Sequence, residues 1–500
     1  MADGSLEESA ASAASVVNID LSVAGNYVDV QPAAAIAGAV RYNVYKLKGV
    51  YGFIGQTTFG TAFRDNNVEP DTSKTPPLTS NPFGAGAGTY PRAVSYFEQR
   101  RCFGGSASLP QSLQLTRSGT EANFNYSIPT QTDDAITARI VAREANTIRH
   151  LVPLGDLLAL TSGGVWRVNA SDGGALSPSN FSVRPQSYVG ASNVQPVVTS
   201  QSVLYASDRG SHIREVSYKW ETQSYQADDI SVLAPHLFDY KTVRQMAYST
   251  SPHQVMWNVR SDGVLLGLTH MPEHEVKAWH QHDTQGLFES VCSVAEGDEN
   301  GLYVVVQREI NGQTVRYVER LHSRHFEALE DAFFVDSGLT YSGTPATAIT
   351  GLHHLEGETV TILADGGVEP PQEVTGGQIT LEEPASKVHV GLPYDCDLQT
   401  LPLASEAMQA FGQGVVKNLN EVKLRVLQSS GIKAGPSFDA LTEYRQRTGE
   451  PYGSPPEPVS GLIGFKIAPK WQQDGAVCIR QADPLPLTIV SMSLEVEVGG

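Results

Sequence analysis

The sequence predicts an all-β protein, and three observations carry that expectation. Apolar and polar residues alternate with period two in short runs bounded by Gly, Asp, Asn, Ser and Pro, the pattern of strands between tight turns. Helical periodicity is scarce. Only "SRHFEALEDAFF", 323–334, and part of "DDAITARIVAREANTIRHL", 133–151, suggest short helices. The middle of the chain also repeats weakly. Hairpin-like phrases anchored on Leu158, Leu204, Met256 and Tyr303 recur at offsets of 46, 52 and 47 residues. Repeats of about 40 to 50 residues are the period of four-stranded propeller blades.

Five hundred residues suffice for two to four domains with buried cores. With 40% hydrophobic and 18% charged residues, the composition is that of a folded, turn-rich chain rather than a disordered one. The formal net charge of −19 opposes nucleic-acid binding over most of the surface and argues against a sequence-reading DNA-binding protein. It is compatible with a surface past which DNA slides without sticking. Cys102, Cys292, Cys396 and Cys478 form no C-x-x-C pair, so they read as buried apolar residues of a reducing compartment. The acidic start, "MADGSLEESAASAASVV", has no basic n-region and no apolar core, unlike a signal peptide. No apolar run is long enough for a membrane span.

In chain order, residues 1–68 read as a small β-sandwich. Its runs Tyr42–Leu47 and Tyr51–Ile54 are interrupted by Lys48-Gly49 and Gly55, and it closes on Asp65-Asn66-Asn67. Residues 69–91, "EPDTSKTPPLTSNPFGAGAGTYP", form a Pro/Gly-rich linker that opposes a regular ladder. Residues 92–335 read as a β-propeller-like domain of about five blade-like repeats. The first is "AVSYFEQRRCFGGSASLPQSLQLTRSG" at 93–119, and the others are anchored as above. Residues 336–500 change rhythm, with strands separated by long Pro/Gly loops, and read as a C-terminal β-sandwich or barrel domain. The alternation from Leu487 to Val498 predicts a paired final strand.

Few residues suggest chemistry. His270, Glu273, His274, His280, His282 and Asp283 crowd one stretch. His280 and His282, two apart, share a strand face and have the spacing to ligate one metal. The preferred reading is a half-exposed blade edge beside Trp279, because no H-E-x-x-H signature supports a metal. Asp262-Gly263 suits a two-residue hairpin turn. "EGDENG", 296–301, lacks the closing bidentate Glu of a calcium loop and reads as a hairpin tip. Asp133-Asp134 and Asp228-Asp229 are adjacent pairs, which on a strand point opposite ways and cannot act jointly. Arg100-Arg101 is the one compact basic spot, read as a salt bridge to this acidic chain rather than a phosphate site. Trp166, Trp220, Trp257 and Trp279 recur within the repeats and read as blade core. No phosphate-loop, dinucleotide or nucleophile-elbow motif occurs. Accordingly no catalytic, cofactor-binding or metal-ligating residue is assigned, and no cofactor is expected.

The run "RYNVYK…GVYGFIGQT…FRDNN" within 40–67 resembles the middle strands of a fibronectin type III-like module. From about residue 90 onward, several phrases occur in order: "YFEQRRCFGGSASLPQSLQLTRSG", "HLVPLGDLLALTSGGVWRV", "DDISVLAPHLF", "VMWNVRSDGVLLGLTHMPEHEVKAWHQHDT" and "DPLPLTIVSMSLEVEVGG". Together they resemble the tail nozzle proteins of short-tailed bacteriophages, the tail tubular protein B-like family. The resemblance implies a virion protein, assembled in the host cytoplasm, that forms a homohexameric ring below the portal and adaptor proteins. It implies contact with tail fibres or tailspikes, and double-stranded DNA passing through the lumen without specific binding. The C-terminal domain would complete the ring or form the nozzle tip. No catalytic residue comes with the resemblance, so no enzyme is expected. The alternative is a carbohydrate-active or receptor-binding propeller with an accessory fibronectin-like module. A weaker third reading is a metal-dependent enzyme using the His270–His282 stretch.

Overall fold

A computed structural model of the chain describes residues 7–84, 86–404, 414–447, 449–451, 453–468 and 470–499. It is nearly all β, with 49% strand and 3% helix, in small antiparallel sheets. The chain divides into two compact units, 1–246 and 247–500, with the division inside the strand Val243–Ser249.

In the first unit, the N-terminal segment forms two short two-stranded sheets. Val28–Val30 pairs with Phe63–Asp65, and Tyr42–Lys48 pairs with Val50–Thr57. The Gly55 break has a packing cause. A Cβ on Gly55 would lie 2.1 Å from the Phe63 ring, so the ring rests directly on the glycine backbone. The Pro/Gly-rich stretch that follows is tied down. The N–H of Leu78 donates to the carbonyl of Tyr126 at 2.7 Å, and Phe83 packs edge-on against Phe103 and Phe124.

Three four-stranded antiparallel sheets follow, each with its strands in sequential order. The first holds Ala93–Phe97, Arg100–Gly104, Ser112–Leu115 and Ile136–Arg139; the second holds Ile148–Pro153, Leu157–Thr161, Gly164–Asn169 and Ser182–Ser187. The third holds Val197–Val198, Ser202–Ala206, Ile213–Lys219 and Ser224–Asp229. Their stacking follows from strand alternation. Every residue of Leu157–Thr161 is buried. Leu157 and Ala159 pack with Leu113, Leu115 and Trp166 in a core shared with the first sheet. Leu158 and Leu160 pack with Val203, Tyr205 and Val216 in a core shared with the third. A strand buried on both faces reads as a continuous apolar run, which "LLALT" is.

In the second unit, Val255–Arg260, Leu265–Met271 and Val276–His282 pair in sequential order. Trp257, Val259 and Leu265 share a core with Phe288, Val304 and Val306 of a three-stranded sheet, Leu287–Glu296, Glu299–Ile310 and Gln313–Leu321. A separate sheet brings together Asp336–Thr350, Gln378–Leu392, Thr359–Ala364 and Gly367–Glu373 over its own core. At the C-terminal end, Lys417–Ser429 is flanked by Val459–Lys466 and by the final strand Ile489–Val498. It shares a core with Lys433–Gly435 and Cys478–Gln481 of a neighbouring sheet, through Ile432, Ala434 and Ile479. This is a sandwich; no closed barrel forms among the described residues.

Both helical expectations are overturned. Within 323–334 only the single 3-10 turn Leu329–Asp331 forms. Phe326, Leu329 and Phe334 instead reach a small core with Ala332, Leu363 and Leu485. A twelve-residue helix has little stability of its own, so tertiary packing decides the outcome. The stretch 133–151 contributes to two strands, Ile136–Arg139 and Ile148–Pro153. The β-branched Ile136 and Ile148 are both buried there. The cysteine expectation holds only in part. Cys102 and Cys478 are buried, whereas Cys292 and Cys396 are exposed, the latter on the exposed strand Cys396–Gln399.

Candidate functional site

The first unit holds a cleft of about 580 Å³. It is built from equivalent hairpin ends of three consecutive sheets. The turns after each first strand supply Glu98, then Leu154–Asp156, then Ser200 and Gln201. The second sheet adds Arg167, Asn169 and the loop glycines Gly173 and Gly174, and the third adds Tyr218 and Tyr225.

The cleft is held rigidly. Nε of Arg167 lies 2.8 Å from Oδ2 of Asp156, and Nη2 lies 3.2 Å from Oδ1. Tyr218 and Tyr225 pair across the strands in a T-shaped contact with centroids 5.3 Å apart. The Arg167 guanidinium lies 5.9 Å from both ring centroids. Tyr225 is buried, and its N–H donates to Oε1 of Gln186 at 2.8 Å. Burial, reinforced by the Asp156 carboxylate, pushes its phenol up to about 12. Tyr218 is 44% exposed, so its ring remains accessible. The loop at 170–176 is pinned from the first sheet. The N–H of Leu176 donates to Oε2 of Glu98 at 2.7 Å, and Arg100 donates to the carbonyl of Leu176 at 3.4 Å.

Arg100 is not a surface cation. It is 2% exposed and also donates to the carbonyls of Thr116, Asp134 and Thr132, at 2.7, 2.7 and 3.0 Å. Carbonyl oxygens replace the expected carboxylate partner, and burial holds its pKa below the usual guanidinium value. Arg101, next along the strand, points outward, 3.8 Å from Glu121. The acidic pairs split likewise. Asp133 pairs with Arg117, while the buried Asp134 accepts from Ser127 and Gln131. Asp228 faces Lys219 and Asp229 faces Arg214.

In the second unit the histidine stretch is a hairpin. His270 is fully buried on its first strand, and His274 lies exposed in the turn Pro272–His274. On the return strand, Nδ1 of His280 and Nε2 of His282 share a hydrogen bond of 2.8 Å. Gly267 makes this possible: a Cβ there would meet the His280 ring at 2.1 Å, so the ring lies across the glycine toward Trp257, 5.7 Å away between centroids. Burial, with Arg324 nearby, pulls His280 down to about 4. Burial, then His280 and Arg324, pull His282 down to about 3. Among the described residues, no three His, Cys, Asp or Glu side chains converge as a metal site.

Of the two turns read from the sequence, the first differs in detail and the second is the hairpin tip expected. The Asp262-Gly263 hairpin is a three-residue loop, with the N–H of Gly263 donating to the Arg260 carbonyl and that of Arg260 to the Val264 carbonyl. Gly263, at φ +82°, takes the left-handed position of a bulged turn. In "EGDENG", Gly297-Asp298 forms a two-residue tip between the paired Glu296 and Glu299. Trp166 and Trp257 are buried, but Trp220 is 75% exposed at the tip of the hairpin that carries Tyr218 and Tyr225, a correction to the core reading.

The site was not evident in the sequence, because Asp156 and Arg167 come from one hairpin and the tyrosines from another. The signal that could have found them is the repeat itself, which places the first turn of each sheet at one end of the stack.

No family model and no curated protein matches the chain. Among solved structures, the crystal structure of Chaetomium thermophilum Raptor is similar at a TM-score of 0.29 and 13% identity. The match covers 62% of this chain and 28% of that one, and at this level it assigns neither fold nor function.

Proposed function

We propose that this chain is a structural protein of a bacteriophage tail, a nozzle subunit that walls and gates a conduit for DNA, and not an enzyme. The reading rests first on the ordered phrases from residue 90 onward. The structural observation that best supports it is the use of arginine. Arg149 pairs with Asp208, Arg167 with Asp156, Arg308 with Glu319, Arg316 with Glu289 and Arg480 with Asp397. Arginines already engaged by carboxylates of the fold are less available to phosphates, and the chain as a whole keeps its net charge of −19. Such a wall repels a passing duplex. Six-fold closure through heterologous contacts would give the cylinder. The proposed partners are further copies of the chain, a portal-adaptor protein, and tail fibres or tailspikes.

The test is mass photometry of the purified chain with a gel-shift assay on double-stranded DNA at low salt. A hexameric ring that leaves the DNA unretarded is expected. A stable monomer that hydrolyses a bacterial polysaccharide would replace this reading with the carbohydrate-active one.

A further inference from the structure

We propose that the cleft between Tyr218, Arg167, Asp156 and Glu98 binds a short segment of a neutral polysaccharide, as a binding site and not a hydrolytic one. The argument begins with size. A volume of about 580 Å³ lies within the range of small-ligand sites. Charge then narrows the ligand. Two carboxylates, Glu98 and Asp156, face one guanidinium, Arg167, which disfavours a phosphate or other anion. The guanidinium sits against Asp156, so a cation entering there would meet it. A neutral ligand rich in hydroxyls suits the same groups. Carboxylate oxygens accept from hydroxyls, the guanidinium donates, the Asn169 and Gln201 amides donate or accept, and planar forks match vicinal diols. The accessible ring of Tyr218 offers an apolar face beside them, with buried Tyr225 fixing its tilt.

The geometry also limits the chemistry. Asp156 is engaged by Arg167, and Glu98 accepts the N–H of Leu176. Both carboxylates are thus engaged within the fold, and neither is left free to face a glycosidic oxygen as a general acid would. The pinned loop and the fixed ion pair leave little to reorganise on binding, which favours retention of a weak, repeated ligand.

The test uses the full chain and four probes: maltopentaose, cellopentaose, chitopentaose and mannopentaose, each followed by saturation-transfer difference NMR. Transfer to at least one is expected, with sodium phosphate at equal concentration failing to compete. Tyr218→Ala should weaken that binding by about tenfold, the loss expected for one aromatic contact. Gln201→Trp, at an exposed turn position, should block the cleft, and melting curves should show both variants folded. Absence of transfer from all four probes, competition by phosphate, or transfer undiminished in both folded variants would overturn the proposal. Release of reducing sugar would overturn its non-hydrolytic half. None of these outcomes depends on ring assembly, so the site and the conduit reading fail separately.

Discussion

The guanidinium of Arg308 grips Glu319 with two parallel hydrogen bonds, Nε to Oε1 at 2.7 Å and Nη2 to Oε2 at 2.8 Å. Arg308 is 1% exposed and also reaches Asp336 at 3.1 Å and Oγ1 of Thr284 at 2.7 Å. It therefore joins the last strands of the three-stranded sheet to the first strand of the next. Two carboxylates around one buried cation make removal of the cation costly. Arg308→Met should lower unfolding free energy by about 3 kcal/mol, the low end for a broken buried pair because both carboxylates retain some exposure. Adding Glu319→Gln and Asp336→Asn should recover part of that loss in urea titrations; a strictly additive result would show that the three do not act together.

The histidine pair predicts an acid limit to stability. His280 and His282 stay neutral in the folded chain down to about 4 and about 3. An unfolded histidine takes its proton near 6.5. Below that pH the unfolded state binds more protons than the folded one, so stability is full above about 6.5 and falls as pH is lowered toward 4. The slope of melting temperature against pH between 6.5 and 4.5 should be shallower in a His280→Asn, His282→Asn variant than in the parent. An identical slope would remove these residues from the acid response.

Gly267 should be intolerant of a methyl group. Gly267→Ala places a Cβ against the His280 ring, and displacing that ring from Trp257 should cost about 1–3 kcal/mol. The His280 pKa, followed by its ring-proton chemical shifts, should rise toward the ordinary value as the ring moves into water. An unshifted titration would show that the ring has another way to stay buried.

The turn Glu98-Gln99 holds both residues at positive φ, +44° and +59°. Two-residue hairpins of this kind prefer Asn-Gly. Gln99→Gly should therefore stabilise the chain by up to about 1 kcal/mol, the left-handed cost relieved less the added freedom of the unfolded chain. Glu98 is left in place to hold Leu176. A fall in midpoint would show that the Gln99 side chain contributes more than its backbone costs.

Most strands were legible because alternation is a local property. The apolar runs "LLAL", "VLYA" and "VMWNV" are strands where the local pattern places them, and the alternating final strand pairs along Lys417–Ser429. The failures arise where distant residues decide. The apolar spacing of Phe326, Leu329 and Phe334 fits a helix turn, but the segment is held irregular by Leu363 and Leu485. Arg100 looked like half of a basic patch. Strand alternation turns it inward, and its carbonyl partners at Thr116, Thr132 and Asp134 leave no mark in sequence. The cleft was illegible for the same reason. Asp156 and Arg167 are eleven residues apart on one hairpin, but Tyr218, Tyr225 and Glu98 come from its two neighbours.

Leu157 and Leu158 are consecutive, yet they are seated in different cores. The middle sheet therefore cannot slide against one neighbour without dragging on the other. A pulling force applied along the strands should meet the three layers as a single laminate that yields in one rupture, as a load-carrying panel would, rather than as leaves that peel away in turn.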